Sequence, residues 1–264
     1  DGALWLKTMD YGDEKNRVLI KSDGNYTYLL PDIAYHCDKI ERGFDELIDV
    51  LGADHHGYID RLKASLEMMG KDSGILDIKI LQMVRLIKDN EELKLSKRTG
   101  KTVTLSEIIE EVGVNATRYL FSSKSLDTQL DFNIDLALKQ NSENPVYYIE
   151  YANARICSIL KKSKNFATNI DKYQTLESQY IYNILNKLNE FEDIVETSAS
   201  KKAPHIIANY VYDLASLFHT YYNQEKIVTE DIQYTSERIN LLKAIQIVIN
   251  NSLNLIGIIP REEM

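Results

Sequence analysis

No stretch of this chain approaches the roughly 20 consecutive apolar residues that a membrane-spanning helix needs. The opening Asp1-Gly2-Ala3-Leu4-Trp5 has neither a basic leader nor a signal-like apolar core, so a cytoplasmic location is expected. Cysteine is scarce. Cys37 and Cys157 stand far apart with no CxxC spacing, which excludes a disulfide framework and a four-ligand zinc site and leaves two reduced, packed thiols. Positive charge is also short, with 31 Lys and Arg against 40 Asp and Glu and a formal net charge of -9. That balance argues against indiscriminate nucleic-acid binding, which rests on many phosphate contacts, but leaves room for a selective RNA partner. Internal repeats and low-complexity segments are absent.

At 264 residues and 44% hydrophobic content the chain can bury a substantial core, in one large or two ordinary domains. Its character changes near Asn141-Ser142-Glu143-Asn144-Pro145. Before that point, short β-branched runs alternate with amphipathic segments, as in βα units. Strands are expected at Arg17 to Lys21, Glu46 to Leu51 and Ile75 to Met83. Helices are expected from Asp32 to Arg42, with Pro31 in its first turn and Gly43 as its stop, and from Gly57 to Met69, stopped by Gly70. Thr104 and Glu107 form a capping-box pattern that opens a helix from Leu105 to Val112. After Asn144 the apolar residues recur at three- and four-residue steps, as in Ile206, Ile207, Tyr210, Val211, Leu214, Leu217, Phe218 and Tyr221. Similar stripes run from Tyr147 to Leu160, Tyr180 to Val195 and Ile239 to Leu255. They predict four long helices in an antiparallel bundle, with loops at Asn165 to Thr175 and Val228 to Tyr234. The expected division is an α/β domain over 1–142 and an all-α domain over 143–264.

Three constellations bear on chemistry. Lys94-Leu95-Ser96-Lys97-Arg98 with Thr99-Gly100-Lys101 places four cations in eight residues of an acidic chain. Lysine ammoniums, a serine hydroxyl and a glycine that admits close backbone approach suit a phosphate, although a solvated basic turn reads the same way. Gly52-Ala53-Asp54-His55-His56 follows a predicted strand, and the carboxyl ends of strands are where open α/β sheets bind ligands. Adjacent histidines on an extended segment point to opposite faces and have no third ligand at a matching spacing, so no metal site is assigned. Asp32 opens the first helix. It is either a helix cap or a pocket carboxylate, with Tyr28 beside it, that receives a cation. A planar carboxylate pairs best with a guanidinium, so such a site would prefer arginine to lysine.

Taken in order, Gly12-Asp13 through Lys15 with Arg17-Val18-Leu19, Asp32-Ile33-Ala34-Tyr35-His36, Gly52-Ala53-Asp54-His55-His56, the basic loop and Asn144-Pro145-Val146-Tyr147-Tyr148 resemble bacterial arginyl-tRNA synthetases. The likeness runs from the first residue to the last, and the basic loop resembles the KMSKR signature with Leu95 in place of methionine. The resemblance implies the C-terminal portion of such an enzyme. The second half of a Rossmann-type class I catalytic domain would be followed by an α-helical anticodon-binding bundle.

By the same resemblance Tyr28, Asp32 and His55 would hold arginine, and Gly52 and Asp54 would face the adenosine. Lys94, Ser96, Lys97 and Arg98 would form the loop that closes on the ATP phosphates, with Lys97 foremost. Tyr148, Tyr151, Arg155, Tyr210 and Met264 would meet tRNA(Arg). Core packing is the competing role for each tyrosine in a chain that has 17. ATP is implied as substrate, Mg²⁺ as its companion, and a monomer as the state of the full-length enzyme. Two departures stand out. The tail Pro260-Arg261-Glu262-Glu263-Met264 is one residue longer than the family pattern, and no HIGH tetrapeptide occurs. The chain alone is therefore expected to bind ATP poorly and not to activate arginine. A stand-alone tRNA-binding or regulatory module is the alternative from another class, and a class I synthetase for a different amino acid is a third reading.

Overall fold

A computed structural model describes residues 2–93, 103–166, 170 and 172–264. The chain forms two compact units, Asp1–Met83 with Leu126–Gln129, and Val84–Ser125 with Leu130–Met264. This division differs from the change in sequence character at residue 142, because a small sheet and short helices after Met83 share the core of the helical segment.

In the first unit β1 (Leu4–Leu6) pairs antiparallel with β2 (Arg17–Ile20). The chain continues through α1 (Leu29–Glu41), β3 (Leu47–Gly52), a 3-10 turn (Ala53–Tyr58), α2 (Ile59–Met68) and β4 (Leu76–Leu81). β3 and β4 are parallel, in register from Leu47 opposite Leu76 to Gly52 opposite Leu81. Parallel neighbours need a crossover, which α2 supplies. Leu29 and Ile33 of α1, Leu62 and Leu66 of α2, and Leu47 and Leu76 of the strands make the core. α1 starts three residues before Asp32, so Pro31 lies in a first turn where its missing N–H has no partner to lose. Tyr28, and not Asp32, occupies the capping position, and no side-chain bond caps the helix. α2 starts at Ile59 and not at Gly57, because residues 53–58 wind into the 3-10 turn. His55 and His56 thus sit on a turn and not on an extended segment.

The second unit holds a three-stranded sheet of order β6-β5-β7, formed by β5 (Val84–Lys88), β6 (Glu91–Glu92) and β7 (Leu130–Asn133). α3 (Leu105–Val112), α4 (Val114–Ser122) and α5 (Ile134–Leu138) accompany it. α3 opens on the expected capping box: Thr104 accepts from the Glu107 N–H while Glu107 accepts from the Thr104 N–H. The bundle comprises α6 (Pro145–Lys162), α7 (Gln179–Asn189), α8 (Phe191–Lys201), α9 (His205–Gln224) and α10 (Ile232–Leu255). Among the described residues five helices stand where four were expected, because the stripe over 180–195 breaks at Glu190 into α7 and α8. α10 begins at Ile232, inside the segment expected to be a loop, with Asp231 accepting from the Tyr234 N–H as its cap. Tyr210, Val211, Leu214, Phe218 and Tyr221 bury the predicted face of α9 against α6 and α10.

Candidate functional site

The sequence singles out one site in each unit. In the first, the start of α1, the end of β3 and the 3-10 turn enclose a hollow of about 410 Å³. Tyr28 and Asp32 enter from α1, Asp49 and Leu51 from β3, and His55 and Tyr58 from the turn. Leu51 and the Tyr58 ring supply apolar wall, and Asp32 supplies charge. No hydrogen bond from the described residues reaches the Asp32 carboxylate, and burial raises its pKa above the ordinary carboxylate value, against the opposing influence of His36, His55 and Lys39. Tyr28 is 86% exposed, so its ring can swing onto a ligand without leaving a packed position. His55 presents its ring edge to Tyr58 at 5.7 Å, with Nε2 3.7 Å from Asp54. An alkyl chain ending in a cation matches these walls, with the carboxylate free to take a guanidinium.

The second carboxylate of the hollow is already taken. Asp49 accepts from Lys39 Nζ at 3.1 Å and faces His36 Nε2 at 2.7 Å. Sequence reasoning assigned it nothing, since an aspartate within a strand gives no signal of which helix faces it. Gly52 and Asp54 close β3 at its carboxyl end, where a nucleotide is expected. They do not line the hollow. Gly52 is extended, and a β-carbon there would come within 2.8 Å of the Asp54 carboxylate.

Lys94, Ser96, Lys97 and Arg98 lie outside the described residues. Their flanks are anchored: the Leu93 N–H donates to the Leu86 carbonyl at 2.8 Å, and Leu93 and Val103 pack on the core of the second unit. The capping box of α3 follows at once, so both roots of the basic segment are fixed.

In the second unit α6 and α9 build an aromatic and cationic cluster. The Arg155 guanidinium lies 4.5 Å from the Tyr151 ring and 4.2 Å from the Tyr222 ring, and it donates to the Tyr151 hydroxyl at 2.8 Å. His219 underlies it: the ring lies 4.3 Å from Tyr148, and Nε2 is 3.0 Å from the Tyr148 carbonyl. Burial lowers the His219 pKa, so the ring is neutral there, with Nε2–H donating and Nδ1 facing Arg155 at 3.5 Å. Tyr151, Arg155, Tyr222 and Met264 line a hollow of about 650 Å³, and Tyr148 borders a neighbouring one with His219. The tail that carries Met264 is tied down, as Asn153 donates to the Arg261 carbonyl at 2.8 Å and Lys161 pairs with Glu263.

Tyr151 and Arg155 line both hollows, Met264 the first and Tyr148 the second, while Tyr210 lines neither. Tyr210 is 2% exposed, with its hydroxyl donating to the Lys187 carbonyl at 2.7 Å, because its position on α9 falls within the apolar stripe. Tyr222 and His219, three residues apart on α9, face Arg155 from that helix.

Two family models match the chain: "tRNA synthetases class I (R), catalytic domain" over residues 1–130 and "DALR anticodon binding domain" over 149–264. An arginine–tRNA ligase of Bacillus pumilus is 49% identical over 269 residues, spanning all of this chain and 48% of that protein. One of Staphylococcus aureus USA300 is 50% identical over 267 residues, with the same shares. A Campylobacter jejuni structure provisionally described as an arginyl-tRNA synthetase aligns with all of the chain and 58% of its own at a TM-score of 0.89 and 38% identity. Thermus thermophilus arginyl-tRNA synthetase, at 21% identity and a TM-score of 0.84 over all of this chain and 54% of its own, shares the fold. The chain spans about half the length of the curated relatives it matches. With both halves of the sequence matched in order, and half of all residues identical to named ligases, the chain belongs to the arginyl-tRNA synthetase family of class I synthetases.

Proposed function

We propose that the protein containing this chain is an arginine–tRNA ligase that activates arginine with ATP and transfers it to tRNA(Arg), as a monomer in the cytoplasm. The observation that carries the reading is the hollow of the first unit, where the Asp32 carboxylate stands without a partner among the described residues, between apolar walls. Asp32 receives the guanidinium through paired N–H donors, Tyr28 closes over the alkyl chain, and His55 approaches the amino-acid end. The arginine carboxylate oxygen attacks the α-phosphorus of ATP. A carboxyl–phosphate bond forms and pyrophosphate leaves with the electron pair of the broken P–O bond. The terminal ribose hydroxyl of the tRNA then attacks the arginyl carbonyl and releases AMP.

Positioning and charge neutralisation carry most of this chemistry. Gly52 and Asp54 lie toward the adenosine, while Lys97, with Lys94, Ser96 and Arg98, meets the triphosphate. Among the described residues no group of three His, Cys, Asp or Glu side chains converges as a metal site. Mg²⁺, where it accompanies ATP, would supply further charge neutralisation at the phosphates. Tyr148, Tyr151, Arg155 and Met264 offer stacking faces and donors to unstacked anticodon bases, which suits an acidic protein better than a broad basic surface would. A tRNA-binding module without catalysis would leave the hollow of the first unit unexplained.

The test is made on the full-length protein. Formation of arginyl-tRNA should require arginine, ATP and tRNA together, and D32N should raise the KM for arginine by about tenfold or more, the loss of a charge-assisted bidentate contact. Charging with another amino acid, or an unchanged arginine KM in D32N, overturns the reading.

A further inference from the structure

Beneath Asp32 lies a buried side chain that the chemistry above does not use. His36 is 4% exposed and one turn along α1 from Asp32. Its Nδ1 is 2.7 Å from the Asp32 main-chain carbonyl and its Nε2 is 2.7 Å from Asp49 Oδ2 on β3. Lys39 takes the other Asp49 oxygen. The ring therefore ties the first turn of α1, which carries Tyr28 and Asp32, to the strand that forms the opposite wall of the hollow. It also occupies a carboxylate that would otherwise face the ligand. Two carboxylates line this space, and the arrangement leaves one of them open.

We propose that His36 is the positioning residue of the guanidinium subsite: it fixes the Asp32 turn against β3 and keeps Asp49 engaged, so that a single oriented carboxylate meets the substrate. The proposal rests on the arginine reading of the hollow and adds to it a specificity device built from His36, Asp49 and Lys39. The groups that face Asp32 are His36 and Lys39 of α1, Asp49 of β3 and His55 of the 3-10 turn. Without the His36 ring, Asp49 keeps Lys39 alone and presents a free oxygen to the cavity. The Asp32 turn then loses its tie to β3, and a bare Asp49 charge beside Asp32 disfavours a second ionised carboxylate, so both effects weaken the hold on the guanidinium. A displacement of this kind acts on the amino acid and leaves the nucleotide alone.

The experiment is a kinetic comparison of H36L, H36Q, D49L and H36L/D49N in the full-length protein. The readouts are KM for arginine, KM for ATP and kcat. H36L keeps the bulk and removes both contacts, and is expected to raise the arginine KM about tenfold with the ATP KM and kcat within about threefold. H36Q can still reach Asp49 with its amide N–H and should recover most of the loss. H36L/D49N, which no longer exposes a second carboxylate, should bind arginine more tightly than H36L. An unchanged arginine KM in H36L, a parallel rise in the ATP KM, or no recovery in H36Q overturns the proposal. Should H36L fail to fold, D49L carries the test, because it removes the acceptor of the His36 link from the other side and must raise the arginine KM selectively. D32N separates the two levels: if D32N raises the arginine KM and the His36 and Asp49 variants do not, the subsite reading stands and the positioning role fails.

Discussion

Asp32 and Asp13 are two carboxylates of one unit with opposite effects on stability. Burial, aided by the neighbouring Asp49 charge, raises the Asp32 pKa, so the folded state favours its protonated form. Folding free energy from this group is present below the ordinary carboxylate pKa and is lost as pH rises through the elevated folded value. At neutral pH the ionised group therefore weakens the fold, and D32N is expected to raise the melting temperature slightly while impairing arginine binding. Arginine affinity should decline on acidification at a pH above the ordinary carboxylate range, and a titration of binding against pH checks the sign. Asp13 is buried and accepts from Arg17 Nε and Nη2 at 2.7 and 2.5 Å, which lowers its pKa from 3.8 to about 2. Its contribution is present above pH 3.8 and lost as pH falls through about 2. D13N should cost about 2 kcal/mol in urea unfolding at pH 7, and much less near pH 2.

Among the elements, α3 and α9 carry the sharpest expectations. T104A removes one half of the capping box and should cost about 1 kcal/mol. Because Val103 and Thr104 root the segment before α3, T104A should also raise the ATP KM more than the arginine KM. On α9, Y222A deletes one face of the Arg155 sandwich and should weaken tRNA binding about tenfold, within the usual worth of a stacking contact. Y210F loses a single buried hydroxyl bond, costs about 1 kcal/mol of stability and leaves tRNA affinity unchanged; gel-shift titration and thermal melting separate the two. The contrast also marks how far the sequence can be read. β2, β3, the capping box of α3 and the buried stripe of α9 were legible because each rests on local pattern: alternation, a four-residue cap, a 3.6-residue period. The start of α1 was misplaced because Leu29 and Leu30 continue the helix backward through a proline that local rules place at its first turn. Tyr28, Asp32 and His55, singled out together by the resemblance, line one hollow. Asp49 and Tyr222 were not singled out, since their roles exist only once a helix faces a strand or another helix.

At the scale of the whole molecule, the first unit carries a parallel pair of strands with apolar side chains left in solvent. Ile48 is 48% exposed and Val50 56% exposed on β3. Such a face favours cover by another apolar surface. The 264 residues by themselves are expected to self-associate with rising concentration in sedimentation, and a concentration-independent monomer contradicts this. The second unit is closed differently. The Glu237 carboxylate, fully buried on α10, accepts from the Gln174 and Thr175 main-chain N–H groups and from the Thr175 hydroxyl, at separations of 62 and 63 residues. A ribosome delivers those partners in order, and α10 emerges well after the segment it secures. During synthesis Gln174 and Thr175 therefore lack this acceptor until Glu237 clears the exit tunnel.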